Sequence, residues 1–272
     1  MFKIGLSINK ANMNPRFFEE CATAGIDCIE LSPTAEENVG LDVAGISYDM
    51  KRVGIEPWSY HLPFLPFEEL DISVPKLVPY SLGLLSEYIR RAGDAGIVNY
   101  VLHSSGEPID KCERRMRMET AKESLFKLSE VAKASGGRIL VENLPRTVLG
   151  KNSEEVLELI SVHPDLRVVF DTNHLLAEDP IEFIKKVGAN IVSTHVSDYD
   201  KIDEKHWLPG EGAADFYAIA STLGDVGYRG PWLYELSLTN TPKRTRSRDL
   251  TPSDIVKNAR EIFENKPLTV IN

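Results

Sequence analysis

The chain has 272 residues, 42% hydrophobic and 26% charged, enough for one large α/β domain with a full core. Lys plus Arg number 31 and Asp plus Glu 41, a net charge of −10 that disfavours a broad nucleic-acid or anionic-membrane surface. No apolar run approaches the ~18–20 residues of a membrane span. Cys21, Cys28 and Cys112 form no CxxC pair, and Met1–Ile8 enters a strand pattern with no signal-peptide h-region, so a reduced, cytoplasmic protein is expected.

The elements alternate along the chain. Lys3–Ile8 reads as a strand, Pro15–Ala24 as a helix closed by Gly25, and Asp27–Leu31 as a strand. A helix over Glu36–Val53 ends at Gly54 and leads to the strand Ile55–His61, then to a loop, Leu62–Pro75, rich in proline and aromatics. The helix Lys76–Ala95, the strand Ile97–His103 and the helix Lys111–Ser135 follow, with Gly96 and Gly136-Gly137 as stops. Arg138–Glu142 is a strand, and Ser153 caps a helix over Glu154–Val162 whose acidic first turn suits the helix dipole. The last units are the strand Leu166–Asp171, the helix Pro180–Val187, the strand Asn190–His195, the helix Ala214–Val226, the strand Trp232–Glu235 and the helix Ser253–Glu264. Apolar strands separated by helices predict a parallel sheet, and eight such units in ~250 residues fit an α/β fold of the (β/α)8 TIM-barrel type, one domain over residues 1–272. A doubly wound sheet is the alternative, but no Gly-x-Gly-x-x-Gly turn follows the first strand.

A TIM barrel gathers the C-terminal ends of its strands at one face. In this chain those ends carry His61, His103, Glu142, Asp171 with His174 just beyond, His195 and Glu235. His206 follows in the loop after strand 7, and His163 alone lies elsewhere, at a helix end where a cation suits the dipole. A single histidine at a strand end is ordinarily a hydrogen-bonded packing residue. Glu142 after Ile139-Leu140-Val141, and Asp171 after Val168-Val169-Phe170, are harder to place, because a carboxylate beside a buried apolar run needs a charged partner or a metal. With Glu235 they make three carboxylates at one mouth, and a divalent cation resolves their repulsion. A salt-bridge network would do the same, with Arg146 and Lys201 the near cations in this part of the chain.

Five short strings in order carry a resemblance: Val141-Glu142-Asn143, Asp171-Thr172-Asn173-His174, His195-Val196-Ser197-Asp198, Pro209-Gly210-Glu211-Gly212 and Tyr234-Glu235. Together the chain resembles the sugar phosphate isomerase/epimerase superfamily of xylose isomerase-like barrels, which also holds ketose 3-epimerases, inosose dehydratases and endonuclease IV. The resemblance implies that Glu142, Asp171, His195 and Glu235 bind one divalent metal, with Glu142 and Glu235 also acting as acid and base. Such an O/O/O/N set suits Mn²⁺, Mg²⁺, Co²⁺ or Zn²⁺. It further implies that His174 and His206 face the substrate, with His61, His103 and Lys201 completing the substrate-binding set. Lys201 stands where the epimerases carry an arginine.

The implied chemistry is proton transfer beside a sugar carbonyl through an enediolate. Return of the proton to the opposite face gives an epimerase, transfer to the neighbouring carbon an isomerase, and loss of a β-hydroxyl a dehydratase. The basic run Lys243–Arg248 follows strand 8, where barrels often bind phosphate, so both a free sugar and a sugar phosphate are candidate partners. The loop Leu62–Leu70, with Phe64, Phe67, Glu68 and Glu69, is expected to cover the mouth. The rival is an endonuclease IV-like phosphodiesterase with a multi-zinc site, since the chain has residues at most of those positions. Glu204-Lys205-His206 departs there from the Asp-x-His pattern, and the net charge speaks against DNA.

Overall fold

A computed structural model of the protein describes residues 2–64, 66, 69–240 and 244–271. Eight parallel strands form the wall of a barrel: β1 (Ile4–Ile8), β2 (Cys28–Leu31), β3 (Glu56–His61), β4 (Asn99–Leu102), β5 (Arg138–Glu142), β6 (Arg167–Asp171), β7 (Ile191–His195) and β8 (Trp232–Tyr234). Their order is β7-β6-β5-β4-β3-β2-β1-β8. The ring closes just beyond β7, where Val196 bridges Tyr234 and donates its N–H to the Leu233 carbonyl at 2.8 Å. The expected TIM barrel is therefore the observed one.

Among the described residues an α-helix follows each strand: α1 (Pro15–Ala24), α2 (Val43–Arg52), α3 (Val78–Asp94), α4 (Arg114–Ala134), α5 (Ser153–Ile160), α6 (Pro180–Val187), α7 (Phe216–Asp225) and α8 (Pro252–Phe263). Local chemistry sets their ends. Asn14 accepts the Phe17 N–H at 3.1 Å, Pro15 fills the first turn, and Gly25 closes α1 at φ 99°. Most element ends shift from expectation by no more than about three residues, and two helix starts differ for a clear local reason. Helix α2 starts at Val43 rather than at Glu36, because Gly40 sits at φ 70° and Asp42 then caps the helix by accepting the Gly45 N–H. Helix α5 is capped by Asn152, which accepts the Glu155 N–H at 3.0 Å, while the Ser153 hydroxyl donates to Glu178.

Strand side chains alternate between the two faces of the wall. Ile139, Val141, Val168 and Phe170 belong to the large apolar cluster beneath the helices, where Phe170 stacks on Phe183 of α6 at 5.5 Å. Val101, Leu140 and Val169 form a separate small cluster on the other face, inside the barrel. Glu142 shares a face with Leu140, and Asp171 with Val169. The alternation that packs the wall thus aims the terminal carboxylates inward, above an apolar plug.

Candidate metal centre and active site

Glu142 is at the centre of the mouth and is fully buried. Its Oε1 lies 3.0 Å from His195 Nδ1 and 3.4 Å from His174 Nδ1; its Oε2 lies 3.1 Å from His103 Nε2 and 3.3 Å from His61 Nε2. Burial raises the pKa of a carboxylate, but the cationic and hydrogen-bonding histidines around it, His195 first, hold Glu142 well below the usual range.

Asp171 is equally buried and is placed differently. Its Oδ1 accepts the backbone N–H groups of Asn173 (2.6 Å) and His174 (3.0 Å). Its Oδ2 has no hydrogen-bond partner. Burial, with the Glu142 and Glu235 charges added to it, pushes Asp171 well above the ordinary carboxylate pKa. His195 Nδ1 is 3.4 Å from Glu235 Oε2 and 3.9 Å from Asp171 Oδ2. Burial opposes its charge, yet the carboxylates of Glu235, Glu30 and Glu142 outweigh burial and hold His195 well above a normal histidine.

Glu142, Asp171, His195 and Glu235 each present one ligand atom, all within 4.8 Å of one another. A divalent cation fits this set on two grounds. It gives the orphaned Asp171 Oδ2 a partner, and it neutralises three carboxylates facing a single imidazole nitrogen. Three further groups among the described residues meet the same distance: His61, His195 and Glu235; His61, His103 and Glu142; and His174, Glu204 and His206. Glu142 belongs to two of the four groups, as do His61, His195 and Glu235.

A cavity of about 150 Å³ opens above these residues. Its lining includes His61, His103, Glu142, His174, His206 and Glu235, so most of the expected substrate-facing residues are brought together. Asp171 and His195 lie beneath it. Phe64 lines one side with its ring stacked on His103 at 4.0 Å. Leu65, Phe67 and Glu68 of that loop lie outside the described residues.

Lys201 is not part of this arrangement. It is exposed, at φ 61° in the loop after β7, and does not line the cavity. The cation at the mouth is Arg146 instead, which pairs with Glu107, with Asp203 at 2.7 Å and with Glu204 at 3.1 Å. Glu204 also meets His174 Nε2 at 3.3 Å, and that bond, with the nearby Arg146 charge, lowers Glu204 to about 2.

The Pro209–Gly212 turn serves the scaffold. Asp198 accepts the N–H groups of Gly210 (2.9 Å), Gly212 (2.7 Å) and Ala214 (3.1 Å). A Cβ at Gly212 would come within 2.3 Å of the Tyr199 carbonyl. The glycine is thus required by close approach to the β7 loop. Glu211 pairs with Arg246 at 2.7 Å and Arg248 with Asp254 at 2.6 Å. Arg244 also lies 3.2 Å from Glu211, so the three arginines of the basic run are held by carboxylates, and Lys243 lies outside the described residues.

Residues 18–262 match the family model of the xylose isomerase-like TIM barrel. The chain belongs to that family. An uncharacterized protein of Methanocaldococcus jannaschii is 33% identical over 115 residues, 39% of each chain. A fructoselysine 3-epimerase of Escherichia coli is 26% identical over 120 residues, 42% of this chain and 44% of that one. Each match thus spans less than half of the curated relative. The crystal structure of a D-tagatose 3-epimerase-like protein superposes over 97% of both chains with a TM-score of 0.80 at 21% identity, a likeness of fold. Within this family barrel, sequence reasoning overlooked Glu30 on β2, fully buried and 3.0 Å from His195 Nε2. Its signal was an acid inside the apolar strand Cys28–Leu31 rather than at its end.

Proposed function

We propose that the protein is a metal-dependent isomerase or epimerase of a small sugar, with Glu142, Asp171, His195 and Glu235 holding one divalent ion. One observation carries the reading: of these four residues, only Glu142 and Glu235 also line the cavity. They are therefore the two that reach both the ion and the substrate, as an acid/base pair must. The bound ion would polarise the substrate carbonyl and acidify the adjacent C–H. Glu142 and Glu235, reaching the cavity from β5 and from just beyond β8, take a proton from that carbon and return one. His174 and His206 orient hydroxyl groups, and Phe64 with the apolar side chains Leu144 and Val148 keeps water from the reacting carbon.

The cavity supports a compact substrate, since a void of about 150 Å³ accommodates a ring the size of benzene. The names of the relatives, a fructoselysine 3-epimerase and a D-tagatose 3-epimerase-like protein, point to ketose chemistry. The pairing of Arg246 and Arg248 with carboxylates favours an unphosphorylated substrate.

A second reading has its own support. The groups His61/His103/Glu142 and His174/Glu204/His206 can each hold an ion beside the first, with Glu142 as a bridge, which suits a multi-zinc phosphodiesterase. The acidic mouth, with Glu107, Asp203 and Glu204 around a single Arg146, disfavours a DNA backbone there. The deciding experiment incubates metal-loaded protein with free and phosphorylated ketoses and keto-inositols, and in parallel with abasic duplex at low salt, while counting metal ions per chain. Epimerised or isomerised sugar with one ion per chain is expected. Three zinc ions per chain, no sugar product, and strand cleavage abolished in His103→Ala would replace this reading with the nuclease; a dehydrated product would move it to the dehydratase.

A further inference from the structure

We propose that Glu30 is a positioning residue for the metal centre, holding the His195 ring so that Nε2 keeps its proton and Nδ1 is left to bind the ion. The inference rests on the four-ligand site proposed above. His195 is fully buried and its two nitrogens face opposite surroundings. Nδ1 faces Glu142, Glu235 and Asp171 at 3.0, 3.4 and 3.9 Å. Nε2 faces only Glu30 Oε1, at 3.0 Å; the approach is bent, a close charge contact more than an aligned hydrogen bond, and no other acceptor among the described residues bonds to Nε2.

A neutral imidazole carries one ring proton, and only the nitrogen without it can bind a metal. Three carboxylates beside Nδ1 draw that proton to the wrong side. A single carboxylate beside Nε2 is the counterweight, and Glu30 is built to stay there. It lies in register between Ser7 of β1 and Ser59 of β3. The Ser7 hydroxyl donates to Oε1 at 2.9 Å and the Ser59 hydroxyl to Oε2 at 2.7 Å, so both oxygens are anchored from the flanking strands. A carboxylate satisfied only for packing would have no reason to lie beneath the one nitrogen ligand of the set. Carboxylates that accept from a ligating histidine fix its tautomer and typically account for ~10–100-fold in metal affinity.

The test compares wild type with Glu30→Gln and Glu30→Ala. Zn²⁺ affinity is measured by chelator competition, the His195 ring tautomer by ¹⁵N NMR of histidine-labelled protein with His195→Gln for assignment, and metal-free stability by thermal melting. Zinc-loaded wild type is expected to show the Nε2–H tautomer. Glu30→Gln, which keeps an oxygen beside Nε2 but has lost the charge, should bind zinc ~10-fold more weakly, and Glu30→Ala ~100-fold more weakly with a mixed tautomer. Should Glu30→Ala not fold, Glu30→Gln decides. Zinc affinity within twofold of wild type in either folded variant, with the Nε2–H tautomer intact, overturns the role of Glu30. Failure of the metal site itself is read separately: wild type and His195→Gln would then bind zinc alike, and this inference would fall with that reading.

Discussion

The substitution Asp171→Asn turns the metal reading into a stability measurement. Asparagine keeps an oxygen for the Asn173 and His174 N–H groups and removes only the charge on the carboxylate whose Oδ2 lacks a partner. At the 4.8 Å limit of the cluster, a like-charge pair costs about 3.5 kcal/mol at an effective dielectric near 20. Asp171 faces two such charges, Glu142 and Glu235, and is offset by His174 and His195. A net relief of about 1–3 kcal/mol follows for the metal-free protein, or roughly 3–10 °C in the midpoint for a chain of this size. The sign with pH follows from the raised pKa. Both states are neutral below the unfolded value, so wild type and variant should match at about pH 3. Wild type then loses stability as pH rises toward the raised folded value, and the variant does not. Divalent metal reverses the order: at 100 times Kd it adds about 2.7 kcal/mol to wild type, and the variant, lacking a ligand, gains far less. The assay is thermal unfolding of both proteins with chelator and with Mn²⁺, Mg²⁺, Co²⁺ or Zn²⁺. A variant less stable than wild type in chelator at neutral pH, with an equal metal shift, would refute the reasoning.

Glu142→Gln and Glu235→Gln should each lower turnover ~10²–10⁴-fold while circular dichroism stays native; near-normal turnover in either would exclude its proton-transfer role. Gly212→Ala should destabilise by about 1–3 kcal/mol in urea melts, since its Cβ would meet the Tyr199 carbonyl at 2.3 Å and Asp198 Oδ1 at 2.4 Å. Asp254 is held down to about 2 by its bond from Arg248 and also caps α8, so its contribution is present above the unfolded carboxylate pKa and lost as pH falls from about 4 toward 2. Asp254→Asn should therefore lower stability at pH 7 and flatten the acid limb between those values, read from urea melts across pH.

The barrel was legible because its signals are local and repeated. Buried strands such as Ile139–Val141 and Val168–Phe170 end on an acid, and glycines such as Gly25 stop helices at a positive φ. Strand-end residues converge by topology alone, so His61, His103, Glu142, Asp171, His195 and Glu235 could be gathered without knowing a loop. Loop residues do not converge by topology, and His206 is placed at the mouth only through the resemblance. Lys201 turns outward at a positive φ while Arg146, two strands earlier, reaches the mouth. Glu204 meets His174 through a path of the β7 loop that no periodicity encodes. Glu30 was missed because a mid-strand acid reads as a solvent-facing position until the closed ring shows that its face points inward. The close approach at Gly212 is to the Tyr199 carbonyl and Asp198, and at Gly210 to Leu268, neighbours that only the folded loop brings there.

The most direct measurement of the central claim is deuterium incorporation. Metal-loaded wild type, Glu142→Gln and Glu235→Gln are incubated in D2O with the ketose and keto-inositol panel and followed by NMR at the carbon beside the carbonyl. The account predicts metal-dependent deuterium at that carbon in at least one substrate with wild type, suppressed by chelator and by both substitutions. Sugar turnover with no solvent deuterium, or exchange that persists undiminished in Glu142→Gln and Glu235→Gln, would contradict it.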